Sequence, residues 1–393
     1  MRQGLLVTVL ILFAIASAKA VEPYPWIPGN RKVSEPVYPE ILITLDKAVE
    51  AVAGGDLLLL DNQSPNVLGD FSGHEVLLLS GSDPYAAGRM FLSMEAAGFP
   101  VPRILKGGAK ALDALQREVS VSPKKASRKP SRNEEIFIER KAVREAFGRD
   151  HFEIIDLRGA DTWSLATLPE PSRAGHIPHS LPFDFSTLLA DGDWPDPAEA
   201  RKQFLKLGPR EREYVDSQAT FIIYGEDQAD PNLGLAYLLL RLMDIDVRVY
   251  DAGWQDWSTD LKSPIVRIMP TRELENLMRA ENPQLVDEFD YESFIFLDLR
   301  GSFDFRRRHL PGSIHLPMHV FADSLSGCLD ANWPEVDPST IPVVLYCYGP
   351  ECVRSRNGAS VAAHQGFRNL IWYRDGVTGW KSEGLPLFRA EGE

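Results

Sequence analysis

The chain has 393 residues and a mass of 43.9 kDa, enough for two or three domains at roughly 150 residues each. With 44% hydrophobic and 25% charged residues it has globular composition, which excludes a largely disordered chain. The formal net charge of -14 argues against bulk attraction to nucleic acid or anionic lipid, and its three cysteines, Cys328, Cys347 and Cys352, are too few for a disulfide scaffold.

Residues 1–20 read as a secretory signal peptide. Arg2 precedes an apolar run from Leu5 to Ala16, and the small-residue stretch from Ala16 to Ala20 offers cleavage after Ala18 or Ala20. The alternative, an uncleaved N-terminal anchor, has a run short for a bilayer. No other stretch is long and apolar enough to span a membrane, so the mature chain is expected to be periplasmic or secreted, where disulfides persist.

Three segments then share one pattern. An apolar run ends in Asp at Leu57 to Asp61, Phe152 to Asp156 and Phe294 to Asp298, and the last two continue as Asp156-Leu157-Arg158 and Asp298-Leu299-Arg300. A second run precedes Ser80, Gly225 and Cys347, followed by a segment rich in Ala and Leu. Each unit closes on glycines: Gly107-Gly108, Gly253 with Trp257, and Gly376 with Trp380. Short apolar strands alternating with helices predict a parallel α/β sheet in each unit, flanked by helices. The units are placed at residues 21–119, 134–262 and 263–393. Residues 120–133, with Lys124, Lys125, Arg128, Lys129 and Arg132 among prolines, read as a solvated linker, or alternatively as a basic interaction arm.

Chemistry in such sheets sits at the carboxyl ends of strands, where residues 80, 225 and 347 lie. Cys347 is the candidate nucleophile there; a buried, inert cysteine is the alternative. Arg306-Arg307-Arg308-His309 could steer an anion, although a solvated loop face is the favoured reading. Asp156 with Arg158, and Asp298 with Arg300, read as structural pairs rather than acid–base groups. His176 and His309 lack partners at metal-binding spacing, and Cys328 falls in a Ser-Gly loop. No phosphate loop, dinucleotide fingerprint or zinc motif is present, so neither cofactor nor metal is expected.

The repeat resembles the rhodanese-like family of single-cysteine sulfurtransferases. In the third unit the resemblance rests on Asp298-Leu299-Arg300, on Arg308-His309-Leu310-Pro311-Gly312-Ser313, on Tyr346-Cys347 with Arg354-Ser355, and on Asp375-Gly376 through Trp380. In the second it rests on Gly175-His176-Ile177-Pro178-His179-Ser180 and Asp251-Ala252-Gly253. The first unit is degenerate.

The resemblance implies a Cys347 persulfide and transfer of sulfane sulfur from thiosulfate or a related anionic donor to a thiophilic acceptor. It also implies a substrate-binding loop of Tyr348, Gly349, Glu351, Cys352, Val353, Arg354 and Ser355. The first and second units, with no cysteine before Cys328, would be catalytically silent and could serve a protein partner. The loop departs from the family pattern: six residues rather than four separate Cys347 from the Arg-Ser pair, Pro350 lacks an N–H, and Glu351 is acidic. Some exported rhodanese-like proteins associated with quinoprotein alcohol catabolism carry a second loop cysteine, there followed by Trp where Val353 stands here. Cys352 could form a disulfide with Cys347, resolve an oxidised Cys347, or merely pack on the first helical turn. A thiol–disulfide redox module using both cysteines and a non-catalytic binding protein are the alternative readings.

Overall fold

The computed structural model describes residues 41–53, 57–61, 75–79, 83–98, 101–118, 135–149, 151–164, 173–189, 194–205, 219–332 and 337–390. The expected signal peptide, the linker at 120–133 and Ser80 lie outside them. In the first unit run β1 (Leu42–Ile43), α1 (Leu45–Ala53), β2 (Leu57–Asp61), β3 (Glu75–Leu79), α2 (Pro84–Ala96), β4 (Arg103–Leu105) and α3 (Gly108–Glu118). The second has α4 (Arg140–Ala146), β5 (Phe152–Asp156), α5 (Ala160–Ser164), β6 (Ser180–Pro182), a 3-10 turn, α6 (Pro197–Phe204), β7 (Thr220–Tyr224), α7 (Pro231–Leu242), β8 (Val247–Val249) and α8 (Gly253–Thr259). The third comprises β9 (Ile265–Ile268), α9 (Thr271–Glu281), β10 (Ile295–Asp298), α10 (Ser302–Arg307), β11 (Ile314–His315), α11 (Met318–Asn332), β12 (Pro342–Tyr346), α12 (Arg354–His364), β13 (Asn369–Tyr373) and α13 (Gly376–Ser382).

The sheet orders are β1-β4-β3-β2, β6-β5-β7-β8 and β11-β10-β12-β13-β9, with every strand pair parallel. The permutation repeats. β3, β7 and β12 lie between the preceding long strand and the last strand of their unit, and an N-terminal segment pairs beyond that last strand: β1, the Phe137 bridge to Val249, and β9. Strands β5, β7, β10 and β12 are buried along nearly their whole length, as expected for parallel strands covered on both faces. Alternation sorts the third sheet: Phe296, Val344, Tyr346, Ile371 and Tyr373 share a core with Leu274 and Met278 of α9 and Trp380 of α13. Helix starts are written in Asp-Pro steps. Asp83, Asp196 and Asp230 each accept backbone N–H groups of the first turn, and the following proline occupies a position that needs no donor.

The helices that follow β3, β7 and β12 also join the units. At the crossing of α2 and α7 the backbones meet at Gly88 and Gly234, where a Cβ on Gly88 would come within 2.5 Å of the Gly234 carbonyl carbon. Beside it the buried Glu95 accepts from Tyr237 Oη at 2.7 Å and pairs with Arg241 at 2.8 Å. Helix α12 instead lies against the second unit. There His176 exchanges backbone bonds with Val266 of β9, at 2.9 and 3.0 Å, and Trp163 meets Trp372 edge-on.

Two expectations need correction. Cys328 lies within helix α11, not a loop, because the segment from Met318 continues through Ser326-Gly327 without breaking. Arg306 and Arg307 form the last turn of α10, where cations suit the helix dipole, and only Arg308 lies beyond it.

His176 stacks on Trp163 with centroids 4.3 Å apart and donates from Nδ1 to the Trp163 carbonyl at 3.0 Å. Burial, assisted by Arg158 and Arg356, pushes its pKa from 6.5 down to about 3. The folded protein therefore keeps the ring neutral, whereas the unfolded chain takes up a proton below about pH 6.5. Its contribution is full above that pH and is lost as pH falls toward 3, at about 1.4 kcal/mol per pH unit. Denaturant titrations from pH 7 to 4 should show a slope steeper by about that amount than in His176→Gln. Equal slopes would mean that the ring is protonated in the folded state.

Candidate active site

The site begins with a buried carboxylate. Asp298, at the end of β10, is fully buried and accepts from the Arg300 N–H at 2.9 Å, from Arg300 Nε at 3.0 Å and Nη2 at 2.6 Å, and from Tyr346 Oη at 2.6 Å. Arg300 Nη2 also donates to the Arg308 carbonyl at 2.5 Å, and Tyr346 Oη meets Ser313 Oγ at 2.8 Å and the Leu310 N–H at 3.1 Å. Tyr346 is the last residue of β12, so this network fixes the strand end from which Cys347 departs. Burial, followed by the Asp298 charge, raises the Tyr346 hydroxyl well above 10 and keeps it a donor. The second unit repeats the arrangement with Asp156, Arg158 and Tyr224.

The loop after Cys347 is held from the opposite side by α13. Val377 N–H donates to the Cys347 carbonyl at 3.1 Å, and Thr378 donates to the Tyr348 carbonyl from N at 2.9 Å and from Oγ1 at 2.8 Å. This contact requires Gly376, with φ of 56°, since a Cβ there would sit 2.5 Å from the Cys347 oxygen. Gly253 does the same in the second unit, where Trp254 and Gln255 N–H groups donate to the Gly225 and Glu226 carbonyls, both at 2.9 Å. The closing glycines thus let a helix start reach the loop backbone.

Within the loop, Cys347 and Cys352 are joined by a disulfide with Cα atoms 6.3 Å apart, and the Cys352 N–H donates to the Gly349 carbonyl at 3.0 Å. Cys347 is 1% exposed and Cys352 8%, so this loop does curl and Cys352 does reach Cys347. Tyr348 is partly exposed; its hydroxyl donates to Asp304, and the Arg300 and Arg354 guanidinium carbons each lie 5.6 Å from its ring centroid. Gly349 is buried against Thr378, Pro350 and Glu351 face solvent, and Val353 is half-buried. Ser355 is buried and accepts from Trp372 Nε1 at 2.9 Å. The seven candidate binding residues therefore span the loop and the first two residues of α12, but Glu351 points to water and Ser355 is engaged in the core.

Helix α12 starts at Arg354 with Val353 as its cap residue and no side-chain capping bond. Helix α7, its counterpart, is capped by Asp230, whose Oδ1 accepts from the Asn232 N–H and whose Oδ2 accepts from the Glu226 N–H, both at 2.9 Å. Asp230 lies five residues after Gly225, as Cys352 lies five after Cys347. Its carboxylate fills the space a side chain at 225 would need, since a Cβ on Gly225 would collide with Asp230 Oδ2. Sequence comparison of the units marks Gly225 as lacking a nucleophile but says nothing of this plug; the Asp-Pro step was the available signal. The second unit's loop carries its own anion, whereas the third leaves its helix start free of a side-chain carboxylate. His309 is hydrogen-bonded to Asp287 at 3.0 Å and stacked on Phe305. No group of three or more His, Cys, Asp or Glu that could hold a metal ion occurs among the described residues.

A model of the rhodanese-like domain matches residues 139–260 and 271–383. YibN of Escherichia coli K12 is 29% identical over 122 residues, 31% of this chain and 77% of its own length. The tRNA uridine(34) hydroxylase of Yersinia enterocolitica is 24% identical over 204 residues, covering 47% of this chain; the matched region spans only 56% of that enzyme. Among solved structures, SseA of Escherichia coli, described as a 3-mercaptopyruvate sulfurtransferase, has 16% identity and a TM-score of 0.41 over 55% of this chain and 99% of its own. The matched segments hold the second sheet and, apart from β9, the third, with their Asp-x-Arg networks and strand-end loops, and the chain belongs to the rhodanese-like domain family.

Proposed function

We propose that the third unit is a sulfurtransferase using Cys347. Reduction of the Cys347–Cys352 disulfide by a thiol gives a Cys347 thiolate, which attacks the outer sulfur of thiosulfate. An S–S bond forms on Cys347, the sulfur–sulfur bond of the donor breaks, and sulfite leaves with its electron pair. A thiophile such as cyanide then takes the terminal sulfur, leaving as thiocyanate, and the thiolate is restored. The observation carrying this reading is the contrast between two equivalent loops: Asp230 fills the second, while in the third a cysteine stands at the strand end beside an uncapped helix start. Such a start favours a thiolate over a thiol. Arg354 and the backbone N–H groups of the loop supply positive potential for the anionic donor.

A second reading is favoured by the disulfide itself: the pair could exchange electrons with a dithiol partner rather than carry sulfur. In either reading the second unit buttresses the third, and the first and second units offer surface to a protein partner. Export to the periplasm or the exterior, through residues 1–20, would supply an oxidising setting.

Three outcomes test the proposal. Reduced protein given thiosulfate should gain about 32 Da on Cys347, the mass of one sulfur, and turn over cyanide to thiocyanate. Cys347→Ser should lower turnover at least about a hundredfold, whereas Cys352→Ser should keep most of it and become insensitive to oxidant. Sulfur found on Cys352, with Cys347→Ser still active, would reverse the assignment; a pair that cycles with dithiols yet takes up no sulfur would favour the redox reading. Gly225→Cys should acquire no sulfur at residue 225 and should destabilise the second unit by about 1–3 kcal/mol through the collision with Asp230. A persulfide at that position would show that the loop opens readily.

A further inference from the structure

The strand-end turns of the second and third units have corresponding sequences, Ile177-Pro178-His179-Ser180 and Leu310-Pro311-Gly312-Ser313. At the third position Gly312 has φ of 67°, the left-handed conformation that glycine adopts without steric cost. His179 holds φ of 68° at the same place. A residue with a Cβ is strained there, and strain of this kind persists where the surroundings impose it.

The surroundings are the helix that leaves the Cys347 loop. The His179 carbonyl accepts from Arg356 Nη2 at 2.5 Å, and its Nδ1 lies 3.5 Å from Ser360 Oγ, one helical turn further along α12. On the other side of the ring, Nε2 is 3.8 Å from Glu153 Oε2 of β5. Ser360 is also gripped by Gly148, where a Cβ would come within 2.7 Å of the Ser360 Cβ. His364, a turn beyond, donates from Nε2 to the Phe147 carbonyl at 2.7 Å and stacks on the Phe147 ring. His179, Arg356 and Ser360 are all buried, so these contacts form a dry junction between the second unit and three successive turns of α12.

We propose that His179 is a positioning residue for the third unit's site: from the second unit it fixes α12 and, through it, the loop that carries Cys347 and Cys352. The catalytically silent unit then contributes a residue with a strained backbone to the reactive one. With α12 held, its first-turn N–H groups keep their aim at the loop and stabilise the thiolate released when the disulfide opens. This rests on the Cys347–Cys352 loop being the reactive site, but not on sulfur transfer.

The test equilibrates the full chain with glutathione. Two glutathione thiols reduce the Cys347–Cys352 bond to two cysteine thiols and leave as one glutathione disulfide, and alkylation with mass mapping gives the equilibrium constant. His179→Gly, which supplies the residue the third unit uses at this turn, should remain folded yet shift the constant toward the protein disulfide by about threefold or more. Ser360→Ala should shift it in the same direction, and the double variant no further than the larger single change. If His179→Gly does not fold, Ser360→Ala alone decides, since it leaves every backbone contact in place. Constants equal to the parent protein's, or shifts that simply add, would overturn the proposal. No sulfur donor is present, so failure to form a persulfide, which would refute the proposed activity, leaves this result unaffected.

Discussion

Asp298 is wholly buried one strand away from Cys347, and a buried carboxylate persists only when donors surround it. Arg300 forks onto it from two residues away, and Tyr346 reaches it from the neighbouring strand. The same guanidinium and hydroxyl tie down the turn at Arg308 to Ser313, so one charge organises three separate chain segments. The register of β12 against β10, the position of the turn and the exit point of Cys347 are consequences of satisfying that carboxylate. Asp156, Arg158 and Tyr224 impose the same geometry on the second unit.

On this shared frame the two loops differ at two matched positions: Gly225 against Cys347, and, five residues on, Asp230 against Cys352. Asp230 returns a carboxylate to the loop, caps α7 and excludes any side chain at 225. Cys352 returns a sulfur that bonds Cys347 and leaves α12 without a side-chain cap. The first arrangement is permanently satisfied. The second can be opened by thiols and closed by oxidants, because a disulfide is a reversible link where a carboxylate cap is not.

The helices that follow the middle strands also carry the contacts between units. Helices α2 and α7 meet backbone to backbone at two glycines, so the first and second units share one hydrophobic core. Helix α12 has Gly148, Phe147 and His179 of the second unit against it. In each case the helix that follows the middle strand packs against a neighbouring unit, and in the third unit that helix, α12, is the one that leaves the Cys347 loop.

Much of this was legible in local sequence. Three strands were marked by apolar runs ending in Asp, since β2 and β5 begin and end where those runs do and β10 ends with its run, and the paired Asp-x-Arg steps foretold a fork that closes over two residues. The glycines at 253 and 376 were visible as unit endings, whereas the caps at Asp83, Asp196 and Asp230 are seen in the structure. Apolar runs, Asp-x-Arg steps and closing glycines involve residues within a few positions of one another, so sequence suffices for them. The Asp230 plug and the strained His179 did not follow from sequence, which left the union of Cys347 with Cys352 as one of three readings. Each depends on where a side chain arrives after the loop or the neighbouring unit has packed, and α12 meets His179 only across a separation of 177 residues between His179 and Arg356. Such long-range contacts are set by the fit of whole elements, which no local pattern encodes.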